Sequence, residues 1–167
     1  VSFIDANNGW IGGESSTLLK TTNGGVTWIQ LSFSQGYNFN SVRLINNNTC
    51  WVTGGISIYK TTNGGTSWAS QYTGSVFDFN SFFTSDGSLC WIVGYNGMIY
   101  RTTNGSYWYN QTSGTINTLK AVYAADANYC WAVGANGTII RTTNSGTNWT
   151  AQTSGTTKQL NSLYFFN

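Results

Sequence analysis

The eight tryptophans of the chain fall on two series with a common period. Trp10, Trp51, Trp91 and Trp131 are spaced 41, 40 and 40 residues apart, and Trp28, Trp68, Trp108 and Trp149 are spaced 40, 40 and 41. Around the second series one phrase recurs: TTNGGVTW at 21–28, TTNGGTSW at 61–68, TTNGSYW at 102–108 and TTNSGTNW at 142–149. Lys20, Lys60, Arg101 and Arg141 each stand just before their TTN, and Cys50, Cys90 and Cys130 each stand just before a first-series Trp, with Gly9 in the first repeat. A unit of this length is one supersecondary element that buries its faces against copies of itself.

Each unit reads as four short strands. Strand one is apolar (1–4, 42–45, 82–85, 121–125). Strand two carries the first Trp and ends at glycine, as in CWIVG at 90–94 and CWAVG at 130–134. Asn96-Gly97 and Asn136-Gly137 follow, a pair that favours the type I′ turn between antiparallel strands. Strand three is MIYRT or TIIRT, and the TTN hairpin leads into strand four with the second Trp. Such runs are too short for ordinary helices. Four strands in ~40 residues, repeated, is the pattern of a β-propeller. The expected fold is therefore all-β, with about four four-stranded antiparallel blades in a single repeat region over residues 1–167. The repeats cover 1–41, 42–81, 82–120 and 121–162, and residues 163–167 begin a fifth strand one. Because Leu163-Tyr164-Phe165-Phe166-Asn167 repeats the opening Val1-Ser2-Phe3-Ile4-Asp5, the expectation is a longer array, or an end that packs on another copy. The first-series tryptophans are expected between blades.

Composition removes whole classes of chemistry. The chain of 167 residues has no His, so it has no imidazole base, no Ser-His-Asp triad and no His metal ligand. Seven Lys and Arg with a net charge of +2 are too few for a nucleic-acid footprint. No apolar run reaches the length of a transmembrane helix. The five acids are Asp5, Glu14, Asp78, Asp86 and Asp126. Asp5, Asp86 and Asp126 recur five residues before a first-series Trp, with Asn46 in the remaining repeat, and read as turn formers. Equivalent cysteines on neighbouring blades lie too far apart for a disulfide or a shared zinc, so Cys50, Cys90 and Cys130 read as buried free thiols. Five Asn-x-Ser/Thr sequons permit glycosylation in a suitable host.

The TTN phrases match the Asp-box pattern Ser/Thr-x-Asp-x-Gly-x-Thr/Ser-Trp. Thr21, Asn23, Gly25 and Trp28 fill it, as do Thr61, Asn63, Gly65 and Trp68. Thr102, Asn104 and Trp108 fill a copy one residue short, and Thr142, Asn144, Gly146 and Trp149 a copy in which Asn148 replaces the Thr/Ser. Asn stands in every copy where Asp is usual. With the preceding F-x-D-x-x-x-G-W-x-x-G spelling, the chain resembles the BNR-repeat propellers related to the photosystem II assembly and stability factor, which also occur in secreted bacterial surface proteins. The resemblance implies a propeller; sialidases, xyloglucan hydrolases and sortilin-type receptors share the Asp box, so it does not assign a reaction.

Two residue sets are candidates for contact. Tyr37, Phe39, Phe77, Phe79 and Tyr95 lie off the tryptophan period, in loops that the usual propeller layout places on one face. Lys20, Lys60, Arg101 and Arg141 read either as a positive ring that docks an acidic partner or as one solvated charge per blade. The acids and arginines do not match a sialidase or a two-carboxylate glycosidase. No catalytic residue, cofactor or metal is therefore expected. The expected role is a non-catalytic scaffold or interaction module outside the cell or on its surface. Its partner would be a protein, further copies of itself or its own longer chain. The alternatives are an assembly factor for a membrane-protein client, in the periplasm or thylakoid lumen, and a glycan-binding, vestigial sialidase-like domain.

Overall fold

The structure is a computed structural model and describes every residue except 34–35, 72–73 and 166–167. The described residues form four antiparallel sheets of four strands, each a meander in chain order. Blade one comprises β1 (Ser2–Phe3), β2 (Gly9–Gly12), β3 (Leu18–Thr21) and β4 (Ile29–Gln30). Blade two comprises β5 (Phe39–Leu44), β6 (Cys50–Gly54), β7 (Ser57–Thr61) and β8 (Ala69–Gln71). Blade three comprises β9 (Phe79–Thr84), β10 (Cys90–Gly94), β11 (Ile99–Thr102) and β12 (Tyr109–Gln111). Blade four comprises β13 (Leu119–Ala124), β14 (Cys130–Gly134), β15 (Ile139–Thr142) and β16 (Thr150–Gln152). These are β-propeller blades. By internal contacts the chain divides into two bodies of two blades each, Val1–Gly74 and Ser75–Asn167.

Strand two of the blade is covered on both faces. Every residue of β6 and of β10 is buried, whereas β4 and β16 are exposed throughout. This explains why CWVTG and CWIVG read as continuous apolar runs rather than alternating ones. In the first body Trp10 of blade one meets Trp68 of blade two edge-on at 5.9 Å. In the second body Trp91 of blade three meets Trp149 of blade four at 5.7 Å and 88°. Each of these rings also seats on a hairpin glycine. A Cβ on Gly65 would lie 2.9 Å from Trp10 Cη2, and one on Gly146 would lie 3.0 Å from Trp91 Cη2. Trp51 is fully buried too. Trp131 is only half-buried and carries Phe165 at 4.5 Å. Leu160 N donates to Gly134 O at 2.9 Å, as Phe39 N donates to Gly13 O at 2.9 Å. Leu160 thus lies against blade four as the start of β5 of blade two lies against blade one, although the described residues after Gln152 are in no strand. Phe166 lies outside the described residues.

Strand one is shorter in blade one than the expected 1–4 but longer in blades two to four than the sequence reading made it, and this corrects two candidate contacts. β5, β9 and β13 each start two or three residues early and cross a register shift near Gly54, Gly94 and Gly134. At these glycines the facing chain comes so close that a Cβ on Gly94 would collide with Asp78 O. The extra residue turns Phe39 and Phe79 inward, and both are buried rather than presented on a loop. The turns agree with the reading. Asn96 and Asn136 have φ of 54° and 56°, with Gly97 and Gly137 at 66°, as a type I′ turn requires. Asp5, Asp86 and Asp126, and Asn46 in blade two, each accept two backbone N–H bonds of 2.7–2.9 Å from the residues two and three positions on.

Three outcomes follow from these contacts. Trp91→Ala should cost about 3–5 kcal/mol in a urea melt, and Tyr95→Ala, which is exposed, far less; equal small losses would contradict the inter-blade role. Cys50, Cys90 and Cys130 are thiols outside any disulfide and fully buried, and burial pushes the thiols of Cys50 and Cys130 well up. An alkylating reagent should therefore label them only as the protein unfolds, as mass spectrometry across a denaturant series would show. Backbone N–H bonds hold the Asp86 carboxyl below its ordinary value. A depressed folded pKa contributes stability above the unfolded value, near pH 3.9, and loses it as the pH falls through the folded one. Asp86→Asn copies Asn46, so its stability should match the parent near pH 7 and fall less steeply than the parent's below about pH 4. An unchanged acid limb would contradict this.

Candidate functional site: a groove on blade three

Each Asp-box hairpin is closed by its own side chains. Thr21 Oγ1 accepts from Gly25 N at 2.9 Å and donates to Asn23 Oδ1 at 2.9 Å, and Asn23 Oδ1 also accepts from Thr27 N at 3.0 Å. Thr61, Asn63 and Gly65 repeat this, as do Thr142, Asn144 and Gly146. In the shortened copy Thr102 bonds Asn104 and Gly105. Trp28, Trp68, Trp108 and Trp149 are half-buried at the ends of these hairpins. The hairpin residues are spent on backbone closure and blade packing.

The basic series is committed to tryptophan rings. Lys20 Nζ lies 5.5 Å from the Trp10 centroid, Lys60 Nζ 4.7 Å from Trp51, Arg101 Cζ 5.1 Å from Trp91 and Arg141 Cζ 5.3 Å from Trp131. The sheet register sets these pairs, since each cation faces its Trp directly across strands two and three. All four cations are half-buried, and burial lowers the Arg101 pKa. Neither a free positive ring nor a row of fully solvated charges describes them; they are cation–π partners inside the blade.

Of the aromatic candidates, Phe39 and Phe79 belong to the core, and Tyr37 is half-buried against the core of the first body. Phe77 and Tyr95 are exposed, at 42% and 44%, and lie together in the second body. They line a groove of about 620 Å³ with Val76, Asp78, Asn96, Ile116 and Thr118. Two loops and a turn build it. Ser75 Oγ donates to Phe77 O at 2.8 Å and accepts from Phe77 N at 3.1 Å, which lifts Val76 outward. Ser113 closes the next loop around Thr115 in the same way, and Ile116 follows. Tyr95 N donates to Asp78 O at 3.2 Å, which joins the turn to the first loop. Val76 and Ile116 are 78% and 81% exposed, and what sets them apart from other exposed aliphatic residues such as Val26 is that they line one groove with two exposed aromatic rings. Sequence reasoning, which looked for aromatics, passed over both; the available signal was an aliphatic residue at the same place in two successive repeats, Val76 after Gly74-Ser75 and Ile116 after Gly114-Thr115. Lys120 Nζ lies 5.3 Å over the Tyr95 ring. Among the described residues no three His, Cys, Asp or Glu side chains gather as a metal site, and no helix is long and apolar enough to cross a membrane.

The sequence and fold have known counterparts. The family model described as photosynthesis system II assembly factor YCF48 matches residues 1–122. No curated protein matches the sequence. YCF48 bound to D1 peptide is similar with a TM-score of 0.70 at 23% identity, over 98% of this chain and 52% of its own. YCF48 from Cyanidioschyzon merolae is similar with a TM-score of 0.76 at 17% identity, over 96% and 61%. A GH74 enzyme from Niastella koreensis is similar with a TM-score of 0.70 at 16% identity, over 88% and 28%. The chain thus spans about half to three fifths of the YCF48 structures, and at these identities the likeness establishes the fold alone. The match over residues 1–122 decides the family: the chain belongs to the photosynthesis system II assembly factor YCF48 family.

Proposed function

We propose that this chain is a non-catalytic docking module of an assembly factor, which holds a segment of a client protein in the groove of blade three. The groove itself carries the reading: Val76, Phe77, Tyr95 and Ile116 are exposed together on loops and a turn closed by their own hydrogen bonds. Apolar anchors on a preorganised surface favour protein recognition, because little side-chain order is lost on binding. The D1 peptide carried by one structural neighbour supports a short polypeptide as the client class. The compartment that suits such a client is the thylakoid lumen or the periplasm. A cell-surface scaffold shares the non-catalytic propeller, but nothing in the geometry favours it over client docking.

The acids support a non-catalytic role. Asp5, Asp86 and Asp126 are engaged by the backbone of their own turns. That leaves Glu14 alone in the first body and Asp78 alone in the second, so neither body by itself offers a pair of uncommitted carboxylates. A glycosidase needs two carboxylates facing one bond.

A labelled D1 peptide titrated by fluorescence anisotropy should bind saturably. The double variant Phe77→Ala with Tyr95→Ala should weaken it by about tenfold or more, the usual effect of losing central aromatic anchors. Undiminished binding by that variant would remove the groove from the site. Turnover of xyloglucan that disappears in Asp78→Asn or Glu14→Gln would overturn the non-catalytic reading.

A further inference from the structure

We infer that the blade-three groove takes a segment of a partner protein in which a basic side chain, arginine or lysine, stands among aliphatic ones. The cation sets against Asp78 while its apolar neighbours cover Val76 and Ile116. This rests on the docking function above and adds the chemistry of the occupant.

The first ground is a comparison of repeats. Asn38 and Thr118 precede the inward-turned Phe39 and Leu119 as Asp78 precedes Phe79. Asn38 Oδ1 is used internally and accepts from Ser15 N at 3.0 Å. Asp78 is the only one of the three to carry charge, and its carboxylate makes no hydrogen bond or ion pair among the described residues.

The second ground is what closes the corresponding place on blade four. There Asn136 Nδ2 donates to Asn117 Oδ1 at 3.1 Å, and Asn117 Nδ2 donates to Thr138 Oγ1 at 2.8 Å. In blade three the residues at the positions of Asn117, Ala135 and Thr138 are Phe77, Tyr95 and Met98. The polar tie cannot form, and two partly exposed aromatic rings stand there instead, Tyr95 with the Lys120 ammonium over it.

The third ground is charge. An acidic segment covering this groove would set like charges together, and a neutral one would offer the exposed Asp78 carboxylate only uncharged donors in exchange for water. A cation removes that cost, and beside apolar surface the pair is screened less than in open water. Arginine suits the place further, since its planar group pairs with a carboxylate and stacks on rings. Lys120 does not fill the role: it is not part of the lining, and its ammonium lies over the Tyr95 ring.

The test uses three fluorescent hexapeptides, acetyl-Gly-Leu-X-Leu-Leu-Gly-amide with X as Arg, Gln or Glu, titrated at low salt. Asp78→Asn and Val76→Ser with Ile116→Ser are titrated in parallel, their folds checked by thermal melts. The Arg peptide should bind about tenfold more tightly than the Gln peptide, with Glu weakest, and the margin should fall to about one in Asp78→Asn. The double serine variant should weaken all three. Equal binding of the three peptides, or a margin that survives Asp78→Asn, would overturn the inference. So would binding of a neutral glucan oligosaccharide with none of the peptides. The D1 peptide separates the two readings. If it binds in the groove while the series shows no Arg preference, the occupant chemistry falls and docking stands. If the series shows an Asp78-dependent preference and the D1 peptide fails, the inference stands with a different client. If nothing binds, both fall.

Discussion

The seat of a tryptophan of one blade on the glycine of the next blade's hairpin sets what the rest of each two-blade body can do. Gly65 has a φ of 89° and Gly146 of 82°, so the hairpin already demands glycine for its backbone. The same missing Cβ lets the Trp10 and Trp91 ring edges come down on that backbone. The hairpin Trp meets the seated ring edge-on, in a geometry that adds about 0.5–1.5 kcal/mol beyond burial. On the seated ring's own blade the register partner is a cation, which contributes about another 0.5–2 kcal/mol. The 40-residue period is therefore a packing period: one ring, one cation and one glycine hairpin must arrive in step.

The hairpin owes its rigidity to hydrogen bonds rather than charge. Asn23 uses both ends of its amide: Oδ1 takes the Thr27 N–H and the Thr21 hydroxyl, and Nδ2 donates to Thr27 Oγ1 at 2.8 Å. An aspartate there would keep the acceptors and lose that donation. Asn63 has the same donation to Ser67 Oγ at 2.8 Å. Asparagine in every copy thus keeps the closure and takes four carboxylates off a chain with only five acids, which helps explain how so few charges suffice.

Most of the fold could be read from spacing because every blade repeats the same physical solution. Trp, Gly, Asn-Gly and TTN mark places where sterics or turn geometry admit few residues. The ends of strand one escaped the reading for a physical reason. The bulges opposite Gly54 and Gly94 reverse the facing of the next residue, and a one-residue change of register moves a side chain from one face to the other. Phe39 and Phe79 therefore went inside. The cation–π pairs escaped because period alone does not say that Lys60 faces Trp51. Of the groove, Phe77 and Tyr95 were legible as aromatics off the period, whereas Val76, Asp78 and Ile116 were not. Their importance depends on two loops that approach only in the folded blade pair.

The groove occupies positions that the blade lock does not use. Phe77, Tyr95 and Met98 can depart from the polar pattern of Asn117, Ala135 and Thr138 because none of them carries the tryptophan seat, the hairpin closure or the strand register. Blade four shows the other solution at the same positions, a hydrogen-bonded tie among Asn117, Asn136 and Thr138. The two solutions differ at one position pair: the tie of blade four satisfies its own polar groups, while blade three leaves Phe77 and Tyr95 exposed to water until something covers them. Recognition is thereby separated from folding within one repeat, and the loops before strand one can change what they bind while the tryptophan period stays intact.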